Sequence, residues 1–355
     1  MAKEIVSSSA PQAHRALDLD LLRVAAAVAV VWLHVSAQHF IDGYPSAQWT
    51  LRLCYQSLVR WCVPVFLMIS GALFLNAERK LSVRHLYGRN VLRIVVAFLV
   101  WSYVYSFQRI NADHGTLALS LLLTGPSHFW YLKMLLGIYI AVPVFRAIAK
   151  NRATERYFII VAIACAFVVP CAFTIAKQHC DVAAVNVVKK FYDSLYINVV
   201  AGYSGYFVLG HYLRAYRPGP CTRKIIYAGG AVALAAVVCG TMFYSHRTGK
   251  AVNWFINYLT PTTLAVSVAV YVWFGALSLR LSEKCRRVLV QASRLSFGVY
   301  LVHVLYIRWA VSHGIDSSWL HPAYFIPLYT LSILAVSYFT AWVLSKIPYV
   351  NRYLL

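Results

Sequence analysis

The first hydrophobic segment of the chain carries two polar side chains, Arg23 and His34, separated by ten apolar residues at 24–33. In an α-helix, a step of eleven residues turns by about 20° net and rises roughly 16 Å. Both side chains therefore lie on one helix face, about half the thickness of a bilayer core apart. Such groups are costly to insert into a membrane and mostly serve function there. A guanidinium binds anionic groups and an imidazole moves protons near neutral pH, so this pair is the first candidate site.

An acidic residue, Asp20, precedes Arg23 by three positions, so the two side chains can pair on the same helix face. The sequence also allows a purely structural role for these residues. Asp20 and Arg23 can be interfacial residues, with the arginine extending to the aqueous surface. His34 can be a hydrogen-bonded histidine near the opposite interface. The shared face of Arg23 and His34 favours a functional role.

Further polar and aromatic residues lie within or beside the apolar segments. They are Arg60 in the second segment, His128, Trp130 and Tyr131 at the start of the fourth, and Tyr300 and His303 in the ninth. Tyr300 and His303 are three positions apart and are therefore neighbours on one helix face. The structural alternatives are an interfacial aromatic belt for Trp130 and Tyr131 and a hydrogen-bonding role for His303.

The composition indicates a membrane protein built from helices. Of the 355 residues, 61% are hydrophobic, the mean hydropathy is +0.63, and apolar residues come in long blocks rather than amphipathic stripes. Several blocks reach about 20 residues, which is enough to cross a bilayer core of about 30 Å. We predict an all-α polytopic membrane protein with about ten transmembrane helices. The predicted spans are 17–38, 51–76, 86–108, 129–148, 156–176, 195–215, 224–244, 257–279, 289–311 and 323–346.

The net charge of +22 comes from basic residues that are distributed unequally between alternate loops. With ten spans, 22 Lys and Arg residues fall on the side that holds both chain ends, and eight fall on the other. The positive-inside rule makes the first side cytoplasmic. Topology thus accounts for the charge, so the expected surface partner is the lipid bilayer and no nucleic-acid partner is expected. We predict a disordered cytoplasmic tail at 1–16, a membrane domain at 17–346 and a short cytoplasmic tail at 347–355.

Three further features of the sequence leave this map of predicted spans as it is. Residues 24–37 are similar to a signal-peptide core with a small-residue cleavage site, but the long preceding region with Asp18 and Asp20 argues against cleavage. The apolar stretch 116–124 is too short to span and is predicted to lie in the outer interface or to re-enter. The eight cysteines are scattered without a Cys-x-x-Cys pair, so neither a disulfide framework nor a metal site is predicted.

Four segments carry a resemblance to a known family. They are Leu19-Asp-Leu-Leu-Arg23 with His34, Val63-Pro-Val-Phe-Leu-Met-Ile-Ser-Gly71, His128-Phe-Trp-Tyr-Leu132 and Ser296-Phe-Gly-Val-Tyr-Leu-Val-His303. Together they resemble the membrane-bound acyltransferase 3 family, whose bacterial members O-acetylate surface polysaccharides and related glycans. The pattern of arginine, ten residues and histidine is the most specific element. The second segment is most similar to the subgroup that includes the enterobacterial common antigen O-acetyltransferase.

The resemblance implies a multi-pass enzyme of the bacterial inner membrane that transfers an acyl group, usually acetyl from cytosolic acetyl-CoA, to a sugar hydroxyl. Acetyl-CoA is then a substrate, and no permanently bound cofactor is expected. His34 matches the catalytic histidine of the family, with the role of general base for the sugar hydroxyl or, alternatively, of transient acceptor of the acetyl group. Arg23 and Arg93 are implied to bind the donor, because arginine forms charge-assisted and often bidentate contacts with phosphates. The family pattern has two arginines at the start of the third span. Arg93 fits the second position and Asn90 occupies the first, and Arg89, one residue earlier, is also expected to bind the donor.

The resemblance also implies that the acceptor, a glycan or lipid-linked glycan, binds in the outer half of the membrane domain. Acceptor contacts are expected in the segment 177–193 and at five side chains, His128, Trp130, Tyr131, Tyr300 and His303. The competing hypothesis is a secondary transporter or flippase for an anionic glycan or lipid, since buried arginine and histidine serve such pathways too. Against it, the sequence shows no repeated halves and no matched pair of Gly/Pro-broken spans.

Overall fold

The computed structural model describes residues 16–79, 81–112, 116–197 and 202–354. Within these ranges every regular element is helical, as predicted. The helices are α1 Leu17–Ser36, α2 Ala47–Val59, α3 Cys62–Phe74, α4 Leu92–Ala112, α5 Thr116–Thr124, α6 Trp130–Ile140, α7 Val142–Ala149, α8 Arg152–Ala162, α9 Val169–Ala176, α10 Val182–Ser194, α11 Ser204–Ala215, α12 Pro220–Thr248, α13 Pro261–Gly275, α14 Glu283–Ser312, α15 Pro322–Ser345 and α16 Pro348–Tyr353. Short turns at Val83–His85 and Ser127–Phe129 and π-helical turns at Leu86–Val91 and Ile163–Val168 complete the set.

Seven stretches of helix are long and apolar enough to cross a bilayer in the part of the chain described. An eighth is a pair of helices, Ser127–Ile140 and Val142–Ala149, that bends by 58°. Pro143 lies in the first turn of α7, and because proline removes a backbone donor and clashes with the preceding turn, it accounts for the bend. The other two predicted spans contain α11 and α13, of 12 and 15 residues. Multiple membrane spans are thus supported, while the number ten and the cytoplasmic termini stay predictions.

Helix α1 lies inside the bundle rather than at its edge. It packs against α14, α3, α15 and α2, and its small and branched residues, such as Leu22, Ala26 and Val31, are buried. A segment removed by a signal peptidase would not form the centre of the folded domain, so this packing opposes the cleavage alternative. It also fixes the helix that carries Arg23 and His34.

Two glycines bring α3 and α11 into backbone contact. A Cβ added at Gly71 would fall on the carbonyl oxygen of Phe207, and one at Gly210 would fall on the backbone of Met68. Small residues at helix crossings allow this approach in membrane proteins. Gly71 belongs to the second family segment, so its role there is close packing.

Candidate active site

A cavity of about 1010 Å³ lies along α1 and contains nearly all the predicted site residues. Its walls come from α1, α3, α4 with the preceding π-helical turn, α6, α14 and α16. The predicted site residues that line it are Arg23, His34, Arg89, Arg93, His128, Trp130, Tyr131 and Tyr300. The remaining predicted residue, His303, is fully buried and lies behind the wall, beside His34. The segment 177–193 is largely the helix α10 and contributes no described residue to the lining.

Three histidines meet at one end of the cavity. The ring centroid of His34 lies 5.0 Å from that of His303 and 6.1 Å from that of His128. The rings of His128 and His303 are 5.5 Å apart. They come from α1, from the short turn before α6 and from α14, so tertiary packing alone brings them together. Among the described residues, no group of three or more His, Cys, Asp or Glu has the geometry to hold a metal ion.

The hydrogen bonds of this cluster determine the tautomer of His303. Its Nδ1 lies 2.8 Å from the carbonyl oxygen of Tyr300 and 3.1 Å from that of Val299. Since a carbonyl oxygen only accepts, Nδ1 carries the hydrogen and Nε2 keeps a lone pair. That Nε2 and both ring nitrogens of His128 are buried without a hydrogen-bond partner among the described residues. Buried polar atoms of this kind call for a functional explanation, and here they surround His34.

The backbone near His128 is held by Tyr300. The Tyr300 hydroxyl donates to the carbonyl oxygen of His128 over 2.7 Å, and its ring lies 5.6 Å from the ring of Tyr131. A tyrosine with one polar tip and a large ring can connect two helices in this way. The two predicted acceptor residues of α14 therefore differ in role, because Tyr300 lines the cavity and His303 does not.

At the other end of the cavity Arg23 belongs to a hydrogen-bonded chain with α14. Its Nη1 donates to Ser293 Oγ over 3.1 Å, and Ser293 Oγ donates to Asp20 Oδ1 over 2.6 Å. The direct distance from Arg23 Nη1 to Asp20 Oδ1 is 3.6 Å. The predicted pairing of Asp20 with Arg23 is therefore confirmed. Because the Asp20 carboxylate is buried, this arginine is fixed within the protein.

Arginines are concentrated at the Arg23 end. Five line the cavity, namely Arg23, Arg89, Arg93, Arg294 and Arg352. No acidic residue is found among the described lining residues, so the charge at this end is strongly positive. Arg294 and Arg352 are lining residues that the sequence did not single out. Arg294 follows Ser293 on α14, and Arg352 lies on α16, in the segment predicted as a short cytoplasmic tail at 347–355. This segment forms a helix packed against α4 and α15, and its cytoplasmic location stays a prediction.

The displaced arginine of the third span lies in a π-helical turn. The turn Leu86–Val91 contains both Arg89 and Asn90, and both line the cavity together with Arg93. A π-helical turn accommodates one extra residue and is frequent at functional sites. The turn therefore lets Arg89 reach the cavity although it is one position from the family pattern. Asn90 Oδ1 is buried without a hydrogen-bond partner in the part of the chain described.

One part of the cavity wall is aromatic. The ring of Trp130 lies 5.4 Å from that of Tyr203 and 5.5 Å from that of Tyr258. The guanidinium of Arg60 lies 5.2 Å from the centre of the Tyr258 ring, a favourable cation–π arrangement. Trp130 and Tyr258 both line the cavity. These rings are packed against each other, so Trp130 is a wall residue rather than an isolated belt residue.

Comparison with known proteins identifies the family of this chain. The family model of the acyltransferase 3 family, described as an acyltransferase domain, matches residues 17–342. Neither the curated proteins nor the solved structures gave a match. The match spans nearly all of the helices and includes both ends of the cavity. The chain therefore belongs to the acyltransferase 3 family and is a membrane-embedded acyltransferase.

Proposed function

We propose that this protein transfers an acetyl group from cytosolic acetyl-CoA to a sugar hydroxyl of a surface polysaccharide or its lipid-linked precursor. The proposal rests on how side chains are distributed along one cavity. Five arginines lie at one end, and three histidines meet at the other. The first end suits the phosphates of coenzyme A, and the second suits proton transfer. A bacterial inner membrane, with the arginine end facing the cytosol, is part of this proposal.

The length of the donor fits the length of the site. The arm that joins the CoA pyrophosphate to its thiol contains two amide linkages and is about four residues of extended chain long, or about 15 Å. The rise from Arg23 to His34 along α1 is roughly 16 Å. A CoA whose pyrophosphate is bound beside Arg23 and Arg93 therefore brings its thioester close to His34. The apolar lining between them, including Val30 and Leu33, suits the weakly polar arm.

The chemistry assigned to His34 is general base catalysis. A sugar hydroxyl is a poor nucleophile at neutral pH, so His34 removes its proton as the oxygen attacks the thioester carbonyl. The carbon–sulfur bond breaks, the new ester forms, and the proton passes from His34 to the departing thiolate of CoA. The lone pair on His303 Nε2, on the ring next to His34, favours the imidazolium that exists between these steps. In these steps all atoms and protons are accounted for by the two substrates and His34.

The acceptor is placed at the histidine end, against the aromatic wall. Sugar rings pack well on flat aromatic side chains, and Trp130 and Tyr131 present such surfaces to the cavity. The position of the wall close to His34 and His128 allows one hydroxyl of the sugar to reach the imidazole. This assignment extends the expectation from sequence for Trp130, Tyr131 and Tyr300, and it leaves out the segment 177–193.

The test is glycan mass spectrometry on cells with and without the gene. We expect cells that lack it to lose the mass of an acetyl group from one glycan residue, and the gene to restore it. Complementation with His34→Ala should fail although the protein accumulates in the membrane. Purified protein should also release free CoA thiol from acetyl-CoA, which a transporter would not do. Unchanged glycan masses after deletion would contradict the acceptor assignment.

A further inference from the structure

The arginine end carries more positive charge than a pyrophosphate group requires. A pyrophosphate in CoA has about two negative charges, whereas five guanidinium groups line this end. Asp20 offsets part of the charge of Arg23. The described residues contain no ion pair that involves Arg89, Arg93, Arg294 or Arg352. This surplus charge indicates that a second anionic group binds here.

The five arginines differ in their depth within the cavity. The side chain of Arg23 is 25% exposed, and Arg93 is half-buried, with its Nε atom inaccessible to solvent. Arg89, Arg294 and Arg352 are exposed at the rim. The guanidinium of Arg93 lies 5.4 Å from the centre of the Phe297 ring, and Phe297 is one turn along α14 from Arg294. Arg294 is therefore the rim residue that follows Arg93 outward along the same wall.

Another part of the rim is formed by the C-terminal helix α16. Pro348, Asn351, Arg352 and Tyr353 all line the cavity, and the helix is held against α4 and α15. The guanidinium of Arg352 lies 5.2 Å from the centre of its neighbour's ring, that of Tyr353. This helix lies beyond residues 17–342, the range of the family match. The residues that α16 contributes to the cavity therefore lie outside the part of the chain that the family model matches.

We propose that Arg294 and Arg352 form a subsite for the 3′-phosphate of coenzyme A, so that the enzyme selects 3′-phosphorylated acyl donors. The inference rests on the proposed use of acetyl-CoA and adds a specificity determinant to it. In CoA the 3′-phosphate lies on the far side of the pyrophosphate from the thiol. With the arm directed towards His34 and the pyrophosphate beside Arg23 and Arg93, this group reaches the rim. A phosphomonoester carries about −1.5 to −2 charges at neutral pH, which matches two arginines.

The experiment compares two donors that differ in one group. Binding of acetyl-CoA and of acetyl-dephospho-CoA, which lacks the 3′-phosphate, is measured by calorimetry on the full-length protein in detergent. We expect the wild type to bind acetyl-CoA at least about tenfold more tightly, since a charge-assisted contact is worth that much or more. Arg294→Gln and Arg352→Gln should each weaken acetyl-CoA binding by about tenfold and leave acetyl-dephospho-CoA binding almost unchanged.

A matched control lies on the same helix. Arg286 is an exposed arginine of α14 that pairs with Glu283 over 3.2 Å and does not line the cavity. Arg286→Gln should leave both affinities unchanged. Each variant is checked by size-exclusion chromatography, and because the substituted side chains are exposed at the rim, folding should be preserved. Arg294→Lys and Arg352→Lys, which keep the charge, should show intermediate affinities for acetyl-CoA.

The outcomes separate this inference from the proposed function. Equal affinity of the wild type for the two donors, or an equal loss for both donors in the variants, would overturn the 3′-phosphate subsite while leaving acetyl-CoA as the donor. Absence of binding by either donor would overturn both. Selective donor binding without any acetylated glycan in cells would contradict the acceptor assignment alone.

Discussion

His34 and His303 lie on two neighbouring helices, α1 and α14, with their ring centroids 5.0 Å apart. The same helices meet again where Arg23 donates to Ser293. The two contacts are eleven residues apart on α1 and ten on α14, so the helices run side by side in the same direction. This parallel pair agrees with the first and ninth spans of the predicted topology. It also fixes the separation between the arginine end and the histidine end of the cavity.

Substitution of His34 by alanine should abolish acyl transfer without affecting insertion or accumulation. Loss of a positioned general base typically costs about 10²–10⁴-fold in rate, and more if the histidine is acylated during the reaction. CoA thiol release and glycan acetylation provide the measurements. His313→Ala, at an exposed histidine just after α14, is the control and should retain full activity. If His34→Ala were nearly as active as the wild type, His34 would have only a structural role.

Two substitutions at His303 separate its ring nitrogens. An asparagine amide reaches the position of Nδ1 and can still donate to the Tyr300 carbonyl, whereas a glutamine amide reaches the position of Nε2. If the Nε2 lone pair stabilises the His34 imidazolium, His303→Gln should retain a kcat about tenfold higher than His303→Asn, because only glutamine can accept from His34 once that ring is protonated. The donor KM should not change in either variant. An equal loss of kcat in both would mean that His303 only packs against His34.

Arg23→Lys tests whether the guanidinium has a geometric role. If Arg23 merely extended to the interface, lysine would replace it well, because both side chains reach water with one charge. In the structure its guanidinium contacts Ser293 and Asp20, which one ammonium group cannot reproduce in the same geometry. We expect acetyl-CoA affinity, measured by calorimetry, to fall by roughly ten- to a hundredfold, with a larger effect on the donor KM than on the acceptor KM. Equal donor affinities would assign the donor site to Arg89 and Arg93.

Gly71→Ala should destabilise the folded protein. The added Cβ would fall on the carbonyl oxygen of Phe207, and forcing two packed helices apart typically costs about 1–3 kcal/mol. We expect the melting temperature in detergent to fall by several degrees. Gly229→Ala on α12 is the matched control, since nothing lies within 4 Å of a Cβ added there and alanine favours the helix. If both variants melted alike, the close contact of α3 with α11 would be disproved.

The ten-span topology is tested with reporter fusions. Fusions after Arg79, Lys150, Arg217 and Lys284 should all report a cytoplasmic location, and fusions near Lys189 and Arg247 should report the outside. The reason is the division of basic residues, 22 on one side and eight on the other, under the positive-inside rule. A cytoplasmic result at Lys189 would overturn the map, and an outside result at Arg217 with a cytoplasmic one at Arg247 would show that α11 and α13 do not cross the membrane.

Features of the site that depend on a single helix could be predicted from sequence. Helical periodicity alone places Arg23 and His34 on one face and Asp20 beside Arg23, and the structure confirms the pairing. Residues that reach the site through tertiary packing could not be found in that way. Arg294 looks like one of many basic residues at the start of a span, and its position at the rim depends on the contact of α14 with α1.

The same limit explains the other differences. Arg352 follows the last hydrophobic segment, in the short cytoplasmic tail predicted at 347–355, and only the packing of α16 against α4 and α15 makes it part of the cavity wall. The span predicted at 129–148 bends at Pro143, and hydropathy carries no information about that angle. The partnership of His303 with His34 joins residues 269 positions apart, and no local pattern could reveal it.

The backbone contact of α3 with α11 has a consequence for motion during turnover. Helices that touch backbone to backbone have no layer of side chains between them on which to slide, so α3 and α11 move as one rigid body. Any widening of the cavity then comes from its other walls, which include α4, preceded by a π-helical turn, and the six-residue α16 packed against it. A substrate that needs the cavity to widen therefore depends on movement of α4 and α16 rather than of α3 and α11.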